Sequence, residues 1–511
     1  MTVKHVLDKE SPLKNQRIAA VLVSAVSLLL LAACSGASTA DNKGNQSAST
    51  AVLTVASSAA VTTWDPVASF STEAMYMGNL YEPLLWKNPA GSAEDYTPAL
   101  ATGWTTSKDG LTWTFDIRQG VTFHTGEALD AAAVKKSFDA AKERGGASFI
   151  WAPVKSIEAP SALDASAKDK TYFESGIDAG TGPYTLASYT PGEKVVLKKY
   201  QDYWNTDAAA TYDTVDVAIT SDAVTAQQML TAGEVKYSTR IPLENIASFE
   251  SNPDYTVNVS KSPFNFVALF NTTRPPLDNP AVRRALSYAV PYDEIIKVGA
   301  QGYGTQSHGP VPAGIFPYDS SIPQYTQDLD KARTLLADAG YAKGFNLTLT
   351  YASENSSEQR FVPLIKDAFA QVGVNVTVKA QLFNQQWEQA KADPAKAQDI
   401  FVLYYWPTYS DAGSDNLYSL FHSSDKPFFN LSYWKNSQYD KLIDEAGTYT
   451  GSDRAKAQSL YSQAMQVLYQ EAPGVFLYDA QAVQVVPKGL VVPPANENYP
   501  FTEFFSKFKP A

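Results

Sequence analysis

The chain of 511 residues carries 41 Lys and Arg against 53 Asp and Glu, which gives a formal net charge of −12. This acidic balance, without clusters of Lys or Arg, excludes nucleic acid as a partner, and 44% hydrophobic residues are typical of a globular chain. Two or three domains are expected, because a single hydrophobic core stops growing at about 250–300 residues.

The N-terminus has the layout of a bacterial secretory signal. Lys14 and Arg17 precede an apolar run over residues 18–33, which is shorter than the ~20 residues of a transmembrane helix. Cys34 follows and is the only cysteine, so an intramolecular disulfide is excluded. Residues 31–34 resemble a bacterial lipoprotein signal, in which cleavage precedes the cysteine and diacylglycerol is attached to its sulfur. An ordinary signal peptide with a cysteine nearby is the alternative.

Lipidation at Cys34 would hold the mature chain on the outer face of the cytoplasmic membrane. Two acyl chains are enough for stable attachment, whereas one would be marginal. Residues 34–51 are small, polar and aperiodic after the cysteine, which predicts a flexible tether. No later apolar run is long enough to span a bilayer.

Regular elements are predicted from residue 51 onward. Residues 51–56 have a short strand pattern, and residues 72–85 carry apolar residues at helical spacing. Both patterns recur along the chain, which predicts an α/β fold with sheets covered by helices. The further strand-like segments are 195–197, 215–219, 345–350 and 399–403, and the further helix-like segments are one after Asp130, 360–372 and 454–470.

Residues 111–118, LTWTFDIR, alternate strictly between apolar and polar side chains. This period predicts a half-buried strand, and after a turn it continues over residues 121–124. The residues expected on the buried face are Leu111, Trp113, Phe115 and Ile117.

Four motifs occur in order along the chain. They are ALATGWTTSKDGLTWTFDIRQGVTFHTGEALDAAAVKKSFDA (99–140), GTGPY (180–184) with YWN downstream (203–205), NPAVRRALSYA (279–289) and DKARTLLADAG (330–340). Together they resemble family 5 of the bacterial solute-binding proteins, the peptide, nickel and oligosaccharide receptors of ATP-driven importers. The resemblance covers nearly the whole chain after residue 53.

The resemblance implies a clamshell of two hinged lobes of the periplasmic-binding-protein type (type II, cluster C), with a small extra domain. The implied boundaries are 1–33 for the signal peptide, 34–51 for the tether, 52–85 with 182–262 and 476–511 for lobe I, 86–181 for the extra domain, and 263–475 for lobe II. The segments that cross between the lobes would lie near residues 262–266 and 474–478.

No catalytic arrangement is present in the sequence. It contains no nucleophile elbow, no H-E-x-x-H and no P-loop, so neither an enzymatic activity nor a cofactor is expected. The four histidines lie far apart in sequence, whereas imidazole-based transition-metal sites usually gather several, so no metal site is expected.

The strongest binding candidate is the segment 387–415, in which YYWPTYSDAGSD (404–415) follows a predicted buried strand. Ligands of α/β folds sit beyond the carboxyl ends of strands, and exposed aromatic residues on a loop are costly unless they meet a partner. The candidate residues here are Trp387, Tyr405, Trp406, Tyr409, Asp411 and Asp415. Weaker candidates near the first helix are Phe70, Tyr76 and Asn79.

The resemblance implies that Trp387 and Trp406 line side-chain pockets, and burial in the core of lobe II is the alternative for both. It also implies an aspartate three residues after Trp406, pairing with the α-ammonium of a peptide. Tyr409 stands there, and a phenol offers no negative charge near pH 7. Either Asp411 or Asp415 replaces that aspartate, or the ligand lacks a free amine.

The chain is expected to be the lipid-anchored, monomeric binding subunit of an ABC importer. It would capture a small solute, and a peptide is the leading candidate for that solute. The lobes would close on the ligand and deliver it to a membrane permease, while a separate ATPase supplies the work. The alternatives are an oligosaccharide or other non-peptide ligand, a surface adhesin or receptor of the same fold, and a secreted hydrolase.

Overall fold

The structure is a computed structural model that describes residues 51–69, 72–143, 151, 154–159, 172–173, 175–407 and 411–511. Cys34, Phe70 and Tyr409, like the predicted signal and nearly all of the predicted tether, lie outside these ranges. Residues Thr50–Ala511 form one unit. None of the described helices combines the length and the apolar character needed to cross a lipid bilayer.

Strands and helices alternate along the described chain. The strands are β1 (Val52–Ser57), β2 (Leu85–Lys87), β3 (Tyr96–Pro98), β4 (Ala101–Thr106), β5 (Trp113–Ile117), β6 (Tyr184–Thr190), β7 (Lys194–Lys199), β8 (Thr214–Ile219), β9 (Tyr237–Ser238), β10 (Tyr255–Phe270), β11 (Gly304–Gln306), β12 (Phe345–Ala352), β13 (Val374–Gln381), β14 (Ile400–Tyr405), β15 (Gly474–Pro487), β16 (Leu490–Val491) and β17 (Lys509–Pro510). The α-helices are α1 (Ala74–Leu80), α2 (Ala131–Glu143), α3 (Ala223–Thr231), α4 (Ile246–Glu250), α5 (Pro280–Ala289), α6 (Tyr292–Gly299), α7 (Leu329–Asp338), α8 (Ser356–Gln371), α9 (Phe383–Ala392), α10 (Tyr418–Phe421), α11 (Ser437–Tyr449) and α12 (Arg454–Glu471). Short 3₁₀ turns cover Thr206–Ala208, Leu243–Asn245 and Phe505–Lys507, and a π-helix covers Gly413–Leu417.

The first sheet has the strand order β6-β7-β8-β1-β9. β1 runs parallel to both β8 and β9, while β7 pairs antiparallel with β6 and β8. Its apolar side chains share one core with α1 and with residues near the C-terminus, such as Phe505 and Phe508. The predicted strands at 51–56, 195–197 and 215–219 are confirmed.

The second sheet has the order β11-β15-β10-β14-β12-β13 and separates two cores. In β14, Ile400 and Val402 enter one core while Phe401 and Leu403 enter the other. Successive residues of a strand point to opposite faces, so burial on both faces explains the uninterrupted apolar run in the sequence. The predicted strands at 345–350 and 399–403, and the helices at 360–372 and 454–470, are confirmed.

Two long strands, β10 and β15, pair antiparallel along most of their length and connect the two sheets. Val257 and Val485 pack with Ala56 of the first sheet, whereas Val267 of β10 lies in a core of the second. The register shifts between Lys261 and Asn265, so the ladder is interrupted between the two packed regions.

The predictions for the region after Leu111 are partly wrong. The strand is shorter, Trp113–Ile117, and pairs only with β4, so Leu111 and Trp113 are 81% and 46% exposed instead of half-buried. The alternation of apolar and polar residues predicts a strand, but it does not show whether another element packs on the apolar face. Residues 121–124 form only an isolated bridge, Thr122 with Ala128, whereas the helix predicted after Asp130 is confirmed as α2.

The first predicted helix is also shorter than residues 72–85. It ends at Leu80, and the chain is extended at Tyr81 and enters β2 at Leu85. Pro83 explains the boundary, because the residue before a proline is disfavoured in helical geometry.

Arg283 of α5 is 2% exposed and joins two helices. Its Nη2 and Nε donate to the carbonyl of Glu471 at 2.6 and 3.0 Å, and Nη1 donates to that of Leu277 at 2.8 Å. The guanidinium therefore caps the C-terminal end of α12, where a cation is favoured by the helix dipole. Burial lowers the pKa of Arg283 to about 10, so it stays charged at neutral pH.

We predict that Arg283→Met lowers the free energy of unfolding by about 3 kcal/mol, because several buried carbonyls lose a charged donor. Arg284→Met is the matched control, since Arg284 donates to the exposed carbonyl of Gln470 and its loss should cost under about 1 kcal/mol. Urea unfolding of both variants measures the difference. Equal midpoints would contradict a capping role.

Asp479 of β15 is a buried carboxyl beside the interrupted ladder. Ser307 Oγ lies 2.6 Å from Oδ1, and the backbone N–H of Ala313 donates to Oδ2 at 3.0 Å. Burial raises the pKa of Asp479 to about 7. Because this value lies above that of the unfolded chain, the protonated form stabilises the fold, and that stability is lost as the pH rises from about 4 through 7.

We predict that Asp479→Asn, which mimics the protonated acid, raises the melting temperature above the wild-type value. The difference in the free energy of unfolding should grow from pH 4 to pH 7 and stay constant above it, reaching about 4 kcal/mol. Calorimetric melts across this range measure it, with the exposed Asp338→Asn as control. A difference that does not change with pH would show that Asp479 is ionised in the folded protein throughout.

Candidate functional site

Four half-buried rings from three separate parts of the chain meet in one place. We call Phe264, Tyr404, Trp406 and Phe501 the aromatic cluster. Phe264 lies 6.0 Å from Tyr404, 5.7 Å from Trp406 and 5.5 Å from Phe501, and Trp406 lies 5.5 Å from Phe501, all between ring centroids. Trp406 is also stacked on Tyr404 at 5.3 Å. These are the tilted and offset geometries that aromatic pairs favour.

The aromatic cluster joins the two bodies of the protein, by which we mean the first and the second sheet, each with the helices packed on it. Tyr404 and Trp406 lie at the end of β14 in the second sheet, and Phe264 lies in the interrupted part of β10. Phe501 belongs to a C-terminal segment held on α1 of the first sheet, where Asn79 Nδ2 donates to the Glu503 carbonyl at 2.7 Å. A surface in which rings from both bodies converge at the carboxyl end of a strand is suited to enclosing a ligand.

Polar groups surround the aromatic cluster. Glu358, at the start of α8, is fully buried and accepts the N–H of Ala352 at 2.7 Å. Burial raises its pKa to about 8. Burial also raises the pKa of Tyr404, with the nearby Glu358 as a further cause. The cluster therefore offers apolar area, and the buried acid near Tyr404 is largely neutral at neutral pH.

Charged and polar contacts also connect the two bodies. Arg360 of α8 lies 3.7 Å from Glu244, which belongs to a turn on the first-sheet side. Tyr303 donates to Glu250 of α4 at 2.8 Å. Both pairs involve exposed carboxylates, so each contributes under about 1 kcal/mol.

Trp387 lies in a different group of rings from Trp406. Its centroid is 4.9 Å from that of Phe428 and 5.6 Å from that of Phe429, and its indole N–H donates to the Phe428 carbonyl at 2.8 Å. Lys391 Nζ lies 3.5 Å above its ring. These contacts place Trp387 on the edge of one core of the second sheet, and a role in ligand binding stays a prediction.

The remaining candidates near β14 face the protein interior. Tyr405 donates to Asp415 at 2.6 Å, and both are buried. Asp411 accepts the N–H of Gly413 at 2.8 Å, and its other oxygen lies 3.9 Å from Arg454. Protein groups therefore already contact Tyr405, Asp411 and Asp415, and a role of these residues in ligand binding stays a prediction.

The candidates on the first sheet are also engaged. Tyr76 is buried and donates to the carbonyl of Ala59 at 2.9 Å, and burial raises its pKa. Asn79 is fully buried and accepts the N–H of Phe505 at 2.9 Å, so it holds the C-terminal segment. Phe70 and Tyr409 cannot be placed, because both lie outside the described residues.

Sequence reasoning missed Phe264 and Phe501. Phe264 had a signal, since it lies in the predicted crossing segment 262–266. Phe501 had none, because only the fold brings the C-terminal segment to β14. In the described parts of the chain, no group of three His, Cys, Asp or Glu is placed to hold a metal ion.

Comparisons with known proteins identify relatives of this chain by sequence and by fold. The chain is 30% identical to the glutathione-binding protein GsiB of Pectobacterium atrosepticum over 423 residues, 76% of this chain and 82% of that protein. Its fold matches DppA of Helicobacter pylori, solved with the peptide STSA, with a TM-score of 0.70 and 25% identity over 90% of this chain and 98% of that one. For CtaP of Listeria monocytogenes the TM-score is 0.78 at 20% identity, over 90% and 99%, which shows the fold alone.

The predicted fold class, a two-lobed periplasmic-binding fold, is confirmed by these neighbours. Residues 95–164 and 152–428 match the family described as "Bacterial extracellular solute-binding proteins, family 5 Middle". Proteins of this family bind solutes and catalyse no reaction, so the chain is not an enzyme. It belongs to the family 5 bacterial extracellular solute-binding proteins, the solute-binding components of ABC importers.

Proposed function

We propose that this protein is a lipid-anchored receptor that closes its two lobes on a short peptide or peptide-like solute and delivers it to a membrane permease. The observation that carries the proposal is the aromatic cluster, whose rings come from both bodies. Phe501 is fixed to the first sheet and Trp406 to the second, so a ligand bound against the aromatic cluster would contact side chains of both. Such a ligand favours the closed arrangement, because only there are both sets of contacts made.

A peptide-like ligand is supported by the relatives and by the chemistry around the aromatic cluster. The relatives include a glutathione-binding protein and a protein solved with a tetrapeptide. Rings accept varied side chains with little loss of conformational entropy.

A sugar ligand is the second candidate, because Trp406 stacked on Tyr404 forms an uncharged platform. Isothermal titration separates the two classes. The probes are glutathione, the tetrapeptide Ser-Thr-Ser-Ala and maltotriose. Binding of either peptide without binding of the sugar supports the proposal, and the reverse assigns the site to carbohydrate.

Trp406→Ala is predicted to weaken peptide binding at least tenfold, since the ligand loses a ring contact and the buried area that goes with it. The ligand-free melting temperature should change by less than about 2 °C. Trp104→Ala is the matched control: Trp104 is half-buried on β4 beside Tyr96, away from the aromatic cluster, and its loss should leave affinity unchanged. A large loss of ligand-free stability with unchanged affinity would instead make Trp406 a core residue.

Cys34→Ala is predicted to release the protein from membranes into the soluble fraction, because the thiol that carries the lipid is lost. Membrane fractionation with labelled palmitate measures both attachment and acylation. Ser35→Ala, one residue later, should keep the label and the membrane association. Membrane retention of the Cys34→Ala protein would overturn the lipid anchor without touching the binding proposal.

A further inference from the structure

The tip of the β4–β5 hairpin approaches a distant loop closely. We call residues 107–113 the hairpin tip and residues 450–453, between α11 and α12, the receiving loop. A Cβ on Gly110 would lie 2.8 Å from Ser452 Cβ and 3.3 Å from its backbone nitrogen. Trp113 lies alongside, with its ring edge 3.8 Å from where a Cβ of Gly451 would be. Any other residue at position 110 would force the two segments apart.

The hairpin tip and the receiving loop belong to different bodies. Beneath the hairpin lies a small core built on Leu100, Val121 and Leu129, which also packs against Trp204 beyond β7. The receiving loop joins two helices that pack in a core of the second sheet. The contact is therefore a further point at which the two bodies touch, besides the aromatic cluster and the pairs Arg360–Glu244 and Tyr303–Glu250.

The hairpin tip has a fixed shape before it meets the loop. Asp109 Oδ1 accepts from Ser107 Oγ at 2.6 Å and from the N–H of Leu111 at 3.1 Å, and Gly110 donates to the Ser107 carbonyl at 2.9 Å. Gly110 has a φ of +71°, which suits glycine in a turn. Such a pre-ordered tip loses little entropy when it docks.

The receiving loop is in turn connected to the binding segment. The hydroxyls of Thr450 and Tyr461 lie 3.1 Å apart. The Tyr461 ring lies against Gly413, where an added Cβ would be 2.7 Å from the Tyr461 oxygen. Gly413 begins the π-helix Gly413–Leu417, which follows the loop that carries Trp406. π-Helical turns are frequent at functional sites.

We propose that the hairpin tip is a latch that docks on the receiving loop when the lobes close, and that it supports the binding segment through Thr450 and Tyr461. This inference rests on the proposed closure around a ligand. It gives a role to the exposed hairpin that alternation in the sequence had predicted to be half-buried. The latch adds affinity without touching the ligand, because it stabilises the closed state in which the ligand is bound.

The first test replaces Gly110 by Asn, a residue that tolerates positive φ but whose Cβ prevents the close approach. Gly110→Asn should weaken binding of glutathione or of Ser-Thr-Ser-Ala roughly tenfold, with an unchanged ligand-free melting temperature. The matched control is Gly120→Asn, in the same hairpin region with a φ of +78° and no atom within 4 Å of an added Cβ. Equal affinities of wild type and Gly110→Asn overturn the latch while leaving the binding function intact.

The second test needs no ligand, so it stays valid even if wild type binds neither probe and the proposed function fails. In the full chain with Cys34→Ala, the pair Gly110→Cys and Ser452→Cys provides the only thiols, and a shift of roughly 1 Å accommodates a disulfide. The oxidised protein should show a smaller radius of gyration than the reduced one, and slower amide exchange over residues 411–417. Gly120→Cys with Ser452→Cys should not cross-link.

Two results of this second experiment overturn the latch. If the 110–452 pair forms no disulfide, the hairpin tip does not reach the receiving loop in solution. If oxidised and reduced proteins share the same radius and exchange rates, the contact is permanent and has no part in closure.

Discussion

The antiparallel pairing of β10 with β15 is the constraint on which the rest of the structure depends. These strands take part in the core around the first sheet at one end and in the cores of the second sheet at the other. Between Lys261 and Asn265 the ladder shifts register, so continuous hydrogen bonding is lost there. Packed cores deform little, so any relative movement of the two bodies must be taken up in this interrupted stretch.

The location of the aromatic cluster follows from that interruption. Phe264 lies inside the shifted stretch of β10, and Asn265 pairs across to Tyr405 of β14. The side chains at the end of β14 are thus brought to the point where the bodies diverge, while the C-terminal segment returns Phe501 from the other side. The aromatic cluster therefore lies where the β10–β15 hydrogen bonding is interrupted, and the proposed separation of the two bodies there would break neither core.

Sequence patterns predicted individual strands and helices, because these depend on neighbouring residues. They did not predict contacts between residues that are far apart in the chain. The run over residues 399–403 was recognisable because both faces of β14 are buried, and the helix after Asp130 because its apolar period is intact. The exposure of Leu111 was not predictable, since a period of two identifies a strand but not the body that covers it. Phe501 reaches the aromatic cluster only through the tertiary fold, so no pattern in its neighbourhood marks it.

The contacts between the bodies are individually weak, which has a consequence for closure. The pairs Arg360–Glu244 and Tyr303–Glu250 involve exposed carboxylates and contribute under about 1 kcal/mol each, and each ring pair adds about 0.5–1.5 kcal/mol beyond its buried area. Shifting a two-state equilibrium from 1:99 to 99:1 takes about 5.5 kcal/mol of differential binding. Because these contacts contribute so little, the binding free energy of one small ligand would be enough to shift the proposed equilibrium between open and closed states. In the proposed latch, a single obstructed contact at Gly110 would then be large enough to change the affinity for that ligand.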